Sequence, residues 1–147
     1  MTITAHALVG GAIAAAFPNP TLAFALAVAS HPLLDMIPHW DEGWGWRNKG
    51  KIRLFAECSL DMIVGVGLTY YLFGSVPLPY LLLAILGSIL FDLLEAPYLL
   101  LNWKFKPFCW FYQLQHNIQG KVKLPWGILT QVATVALIIF VLQVFTF

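Results

Sequence analysis

The segment WGILTQVATVALIIFVLQVFTF, residues 126–147, contains no charged side chain. A helix needs about 20 consecutive apolar residues to cross the hydrocarbon core of a bilayer, so this segment predicts a transmembrane helix. Two further apolar runs, 54–73 and 80–101, have nearly the same length and carry few charges. These three runs place the chain in the class of integral membrane proteins.

The composition agrees with that class. The chain has 147 residues, of which 60% are hydrophobic and 10% charged, whereas a soluble domain has about 25% charged residues. Two shorter runs, 3–17 and 21–37, flank a Pro-Asn-Pro turn that cannot continue a helix, which indicates a short helical hairpin. We expect an all-α polytopic bundle, residues 1–147 forming one membrane domain. It would have about five transmembrane helices, with an interfacial amphipathic helix in 102–120.

The basic residues predict the topology. All eight Lys and Arg residues fall in two stretches, 47–53 and 104–123. With five spans, both stretches lie on one side of the membrane, which the positive-inside rule makes cytoplasmic. We therefore expect a multi-pass protein of the cell inner (plasma) membrane, with a cytoplasmic N-terminus and an external C-terminus. The expected partners are membrane lipids and not nucleic acid, and the oligomeric state stays open.

Ionisable side chains concentrate near the cytoplasmic ends of the predicted helices, within about 15 Å of the boundary. A carboxylate near the centre of a membrane helix costs about 2.5 to 3.5 kcal/mol, so several of them require partners. Arg53, at a helix mouth, is the only cation near the spans, which leaves histidine, protonation, water or a metal ion. The residues concerned are His6, Asp35, His39, Glu57, Asp61, Asp92 and Glu95.

Histidine and aspartate together form a typical ligand set for Zn²⁺. In SHPLLDMIPHWDE, residues 30–42, His31, Asp35 and His39 follow each other at i, i+4 and i+8 and can share one helix face. We expect one or two zinc-like ions, with His31 in a supporting role and with Asp41 and Glu42 in a solvated turn. The predicted ligands are His6, Asp35, His39, Asp61, Asp92 and His116.

Glu57 and Glu95 are the candidate general bases for such a site. Glu57 has a simpler alternative, because Arg53 lies four residues before it and the two can form an ion pair on one helix face. Glu95 precedes Ala96 and Pro97, where the proline loosens the helix backbone. Its carboxylate could therefore bind metal, accept a proton or satisfy a freed amide.

Two segments, TAHALVGGAIAAA (residues 4–16) and SHPLLDMIPH (residues 30–39), resemble bacterial inner-membrane metal-dependent hydrolases, a group distantly similar to zinc-dependent phospholipase C. The resemblance covers about the first forty residues. His6, Asp35 and His39 match the pattern residue by residue, and Asp61 and His116 match it loosely. It implies metal-dependent hydrolysis of a phosphoester or lipid-like substrate at the cytoplasmic interface.

Two other classes of function stay open. Carboxylates and histidines inside a membrane also build proton or metal-ion pathways, although here the outer half of the bundle lacks polar residues. Alternatively, an Asp–His network or a metal ion could hold short helices together without catalysis.

Overall fold

The computed structural model describes residues 1–144 as an all-helical fold, which confirms the predicted fold class at that level. Apart from a bridge between His39 and Lys121, these residues contain no β-structure. The α-helices are α1 (Ile3–Ala16), α2 (Pro20–Asp35), α3 (Lys51–Phe73), α4 (Leu78–Ser88), α5 (Leu90–Leu101), α6 (Phe108–Ile118) and α7 (Trp126–Val144), with a 3-10 turn at Trp46–Asn48.

Helix α1 lies at the centre and packs against α2, α3, α4 and α7. It is apolar on every side, and small residues such as Ala7 and Ala12 are almost fully buried. A helix that is apolar all round is typical of a buried position. Gly10 permits the close approach of α4, because a Cβ there would lie 2.6 Å from Ser88 Oγ. Gly11 permits the close approach of α3, because a Cβ there would lie 2.4 Å from Thr69 Cγ2.

The structure differs from the sequence prediction at 80–101, where one continuous span was expected. This run contains two helices, α4 and α5, bent by 55° at Ile89. Ile89 has φ −104° and ψ 7°, outside helical values, and the hydroxyl of Ser88 donates to the Ile85 carbonyl at 2.8 Å. Because of this bend, the Ser88 carbonyl oxygen lies within hydrogen-bond distance of His31 Nδ1. Asp92 lies in the first turn of α5, just after the bend.

Among the described residues, α7 is the one helix that is long and apolar enough to cross a membrane alone. The bent pair α4 and α5 passes the same test when taken together. Helix α3 is longer, but its N-terminal half carries Lys51, Arg53, Glu57 and Asp61. The last part of the predicted span 126–147 lies outside the described residues.

Candidate metal centre

Three side chains from α1 and α2 meet in the interior of the bundle. His6 lies near the start of α1, and His31 and Asp35 lie one turn apart at the end of α2. His6 Nε2 is 3.2 Å from Asp35 Oδ1, and His31 Nε2 is 3.2 Å from Asp35 Oδ2. All three are buried, and their candidate ligand atoms lie within 4.8 Å of one another. This histidine–aspartate cluster could hold a metal ion.

The two histidine nitrogens each lie 3.2 Å from a different oxygen of Asp35. For comparison, two ligand atoms at about 2.1 Å from a tetrahedral Zn²⁺ are about 3.4 Å apart. Two further groups lie at similar range. Asp92 Oδ1 is 3.6 Å from His31 Nε2, and His39 Nε2 is 3.8 Å from Asp35 Oδ1. Either could supply a fourth ligand.

Backbone carbonyls orient two of the histidines. His31 Nδ1 lies 2.6 Å from the Ser88 carbonyl oxygen, and His39 Nδ1 lies 2.7 Å from the Ile37 carbonyl oxygen. A carbonyl only accepts hydrogen bonds, so each Nδ1 must carry the hydrogen and donate it. In a neutral imidazole the lone pair is then on Nε2, which faces Asp35 in both cases. Metal-binding histidines are typically oriented in this way.

Several polar atoms at the cluster have no hydrogen-bond partner within residues 1–144. They are buried, and they are His6 Nδ1, Asp92 Oδ2 and Gln115 Oε1. The amide of Gln115, on α6, lies 3.2 Å from His31 Nε2 and donates to Asp92 Oδ1 at 3.3 Å. The α-amino group of Met1 also contacts Asp35 Oδ1. Buried acceptor oxygens of this kind are usually satisfied by an ordered water or a cation.

The chain between α2 and α3 extends the cluster. His39 Nε2 lies 3.5 Å from Asp41 Oδ2 and 3.2 Å from the Gln119 amide, which also donates to Asp41. Asp41 is only 9% exposed, so the prediction of a solvated position for it is wrong. The physical reason is the connection between α6 and α7, which covers Asp41 and supplies Gln119.

Backbone hydrogen bonds fix that connection against the end of α2. Gly120 N donates to the Asp35 carbonyl at 2.8 Å, and His39 N donates to the Gly120 carbonyl at 3.1 Å. Val122 N donates to the His39 carbonyl at 3.0 Å. Gly120 is required for this approach, because a Cβ there would lie 2.7 Å from the Met36 carbonyl oxygen. The positions of Asp35 and His39 are therefore held by main-chain contacts as well as by side chains.

A cavity of about 590 Å³ adjoins the cluster, and we call it the main cavity. Asp35 and Asp92 line it, and so does Glu95, one turn further along α5. Most of its wall is apolar or aromatic, including Leu54, Phe55, Met62, Leu93, Leu99, Leu100, Trp44 and Trp46. A substrate with an apolar portion could thus be placed next to the carboxylates.

Two groups at the edge of the main cavity have shifted acidities. Burial, together with the nearby carboxylates of Asp61 and Asp41, raises the pKa of Glu42 to about 7. Partial burial lowers the pKa of His116, and the cations Lys121 and Arg47 add to this effect. Glu42 is therefore half-buried in an acidic environment, whereas a solvated turn was expected from the sequence.

The structure does not bring all the predicted ligands to the cluster. Asp61 contacts α1, where it accepts hydrogen bonds from the Thr4 hydroxyl at 2.6 Å and the Thr4 amide at 3.2 Å. His116 is exposed, stacks on Tyr112 at 5.6 Å and lies 3.3 Å from Lys121 Nζ. Asp61 therefore joins α3 to α1, and His116 lies at the rim of the main cavity.

The two candidate bases also differ in position. Glu57 pairs with Arg53 at 2.7 Å, as its spacing indicated, and with Lys49 at 2.6 Å. Glu95 lines the main cavity with Asp92. Of the two candidate bases, Glu95 is therefore the one that lines the main cavity.

Three residues that contact the cluster were not among the predicted metal ligands: His31, Gln115 and Gln119. His31 was expected to support other ligands, yet it is as close to Asp35 as His6 is. Gln115 and Gln119 had only a weak signal, as members of a polar group at the end of an aromatic and basic segment. Their four-residue spacing was the available sign that both could face the same site.

Comparison with known proteins identified no matching family model, no similar curated protein and no similar solved structure. The function proposed for this chain consequently rests on the geometry of its own residues.

Proposed function

We propose that this chain is a membrane-embedded, metal-dependent hydrolase that acts on a phosphoester or lipid-like substrate. The proposal rests mainly on one observation. The buried side chains of His6, His31 and Asp35 lie close together, next to a cavity that is lined by carboxylates and apolar side chains. The residues resembling membrane metal hydrolases, His6, Asp35 and His39, all lie at this position.

The exposed surface supports a membrane location. Only 17% of the apolar window of α7 is buried, whereas the core helix of a soluble protein is mostly buried. Large apolar side chains project outward from it, including Val132, Leu137 and Phe140 at 61%, 62% and 65% exposure. Such extended apolar surface favours contact with lipid. We therefore propose a multi-pass inner-membrane protein of five spans, with α4 and α5 as one bent span and the N-terminus in the cytoplasm.

In the proposed site, His6, His31 and Asp35 bind a divalent cation of the zinc type, and Asp92 or His39 completes the set. When bound, such an ion supplies the Lewis acid that activates water and polarises a phosphoryl or acyl oxygen. The Ser88 and Ile37 carbonyls keep the Nε2 lone pairs of His31 and His39 directed at the site.

Glu95 is the proposed general base. It lies one turn from Asp92 on α5 and lines the same cavity, so it can accept a proton from a water molecule held beside the cluster. The apolar wall of the main cavity would hold the acyl portion of a lipid-like substrate and exclude bulk water. Glu57 is not assigned this role, because Lys49 and Arg53 both engage its carboxylate.

Hydrolysis is favoured over ion transport by the packing beyond the cluster. The core between α1 and α4 is built from buried apolar residues such as Ala12, Leu81 and Ala84. These residues offer no ligands for an ion moving across the membrane. A purely structural role for the cluster is the other alternative, in which His31 would be protonated and would donate directly to Asp35.

The test is hydrolysis by detergent-purified protein of a chromogenic phosphodiester and of a short-chain phospholipid. We expect activity that a chelator removes and that added Zn²⁺ restores, and we expect Asp35→Asn to reduce it by about 1,000-fold or more. Asp61→Asn is the matched control, since it makes the same change at a carboxylate that contacts Thr4. Activity that is insensitive to both chelator and Asp35→Asn would contradict the proposal.

A further inference from the structure

A second, smaller pocket of about 360 Å³ shares Trp46 and Arg47 with the wall of the main cavity. We call it the basic pocket. Within the described residues no carboxylate lines it. The cations that line it are Arg47, Lys49, Lys51 and Lys104, and Tyr98 adds a second aromatic ring to that of Trp46.

Neutral groups hold two of these cations in place. Arg47 Nη2 donates to the Tyr112 hydroxyl at 3.0 Å, and its guanidinium lies 4.9 Å from the centroid of the Trp46 ring. Lys51 Nζ lies 4.6 Å from the same ring and donates to the Leu99 carbonyl. A phenol, an indole and a carbonyl carry no net charge. The two cations are therefore positioned without being neutralised.

Lys49 differs from the other cations, because Glu57 pairs with it at 2.6 Å. The carboxylate of Glu57 is shared with Arg53, at 2.7 Å, and does not line the basic pocket. Among residues 1–144, no carboxylate pairs with the other three cations of the pocket, Arg47, Lys51 and Lys104. Like charges around one concave surface repel each other, and a bound anion relieves that repulsion.

The start of α3 adds to the positive field. Lys51 is the first residue of this helix, which has 23 residues. Its N-cap is Gly50, which offers no side-chain acceptor, and its first turn contains no acidic residue. Free amides at a helix N-terminus attract anions, and phosphate groups in particular. Lys51 therefore brings the first residue of an uncapped helix to the basic pocket, which Arg47 and Lys104 also line.

We infer that the basic pocket binds a phosphate-type anion, either the phosphate of an anionic lipid headgroup or free inorganic phosphate. Arg47 provides a planar guanidinium that can bind two phosphate oxygens at once, and Lys51 and Lys104 provide point charges. This inference does not depend on the metal centre, because none of the residues His6, His31 and Asp35 lines the basic pocket.

The experiment uses the full chain and two probes. Inorganic phosphate is titrated by calorimetry into the protein in a neutral detergent. Lipid binding is measured on protein reconstituted in nanodiscs, and nanodiscs of pure phosphatidylcholine are compared with nanodiscs that contain added phosphatidylglycerol. Lys104→Gln is the test variant, and Lys106→Gln is the matched control, since it lies in the same connection but does not line the pocket. We expect Lys104→Gln to weaken binding about tenfold and Lys106→Gln less than about twofold.

The two probes separate the sources of the phosphate group. Binding of inorganic phosphate that weakens with Lys104→Gln supports a free-phosphate site. Preference for phosphatidylglycerol with the same sensitivity, but without binding of inorganic phosphate, supports a lipid headgroup. Absence of both, or equal effects of the two lysine variants, overturns the inference. Lys51→Gln provides a second test at another cation that lines the basic pocket, with the same expected loss.

Discussion

The imidazole rings of His6 and His31 stack with their centroids 3.8 Å apart and their planes 10° from parallel. This stacking joins the first two helices and directs both Nε2 atoms toward the carboxylate of Asp35. Two imidazolium ions could not stack at this distance without strong repulsion. At least one ring is therefore neutral, and a neutral ring offers the lone pair that a metal ligand requires.

The role of His31 is tested by replacing it. His31→Ala should weaken zinc binding by more than about 100-fold, beyond the 10- to 100-fold typical of an outer hydrogen-bonding partner. The measurement is competition with a chromogenic chelator. His116→Ala is the control and should leave the affinity unchanged, because that ring stacks on Tyr112 at the cavity rim. Equal affinities of wild type and His31→Ala would show that His31 is not a ligand.

The two candidate bases give opposite expectations. Glu95→Gln should reduce hydrolysis of a chromogenic phosphodiester by about 100-fold or more, the usual contribution of a general base. Glu57→Gln should change it by less than about threefold, since a partly exposed ion pair contributes little. Metal content should stay the same in both variants. A large loss of activity in Glu57→Gln alone would reverse the assignment.

Close packing of α1 on α4 makes Gly10 sensitive to added volume. A Cβ there would lie 2.6 Å from Ser88 Oγ and 2.9 Å from the Ala84 carbonyl oxygen. Gly10→Ala should therefore destabilise the fold by about 1 to 3 kcal/mol. Gly67→Ala is the matched control on α3, where a Cβ meets nothing within 4 Å. Thermal unfolding in detergent should show a lower midpoint for Gly10→Ala only, and equal midpoints would mean that α1 and α4 pack less closely.

The raised pKa of Glu42 predicts that the stability of the fold depends on pH. Burial raises the pKa of Glu42 from the ordinary value of 4.5 to about 7, so the folded chain holds the proton more tightly than the unfolded chain does. Stability should therefore fall as the pH rises through this window, because ionisation is costlier in the folded state. Glu42→Gln should flatten this part of the profile in thermal unfolding between pH 5 and 8. A wild-type midpoint that rises over the same range, with no difference in Glu42→Gln, would contradict the assignment.

Local sequence patterns predicted the helical class from composition. They also indicated that Asp35 needs partners, because a buried carboxylate is costly, and the structure places Asp35 against His6 and His31. The supporting role predicted for His31 stays a prediction. Helix α2 continues through Pro32 and keeps His31 one turn from Asp35, as the four-residue spacing indicated. A proline removes one backbone donor, and here the helix tolerates that loss.

Contacts distant in sequence were not predictable from spacing. Asp41 is covered by Gln119, and Asp61 bonds to Thr4, which precedes it by 57 positions. The break at Ile89 was also not predicted, although Gly87 and Ser88 directly precede it and such a Gly–Ser pair is a common site of helix kinks. That break matters for the site, because it positions the Ser88 carbonyl that orients His31.

Metal content tests the central claim most directly. Elemental analysis would compare detergent-purified wild type, Asp35→Asn and Asp61→Asn, each exposed to Zn²⁺ and then freed of unbound ions. We predict about one or two tightly bound ions per chain in wild type and in Asp61→Asn, and loss of that metal in Asp35→Asn. Wild-type protein without stoichiometric metal, or Asp35→Asn with undiminished metal, would contradict the account.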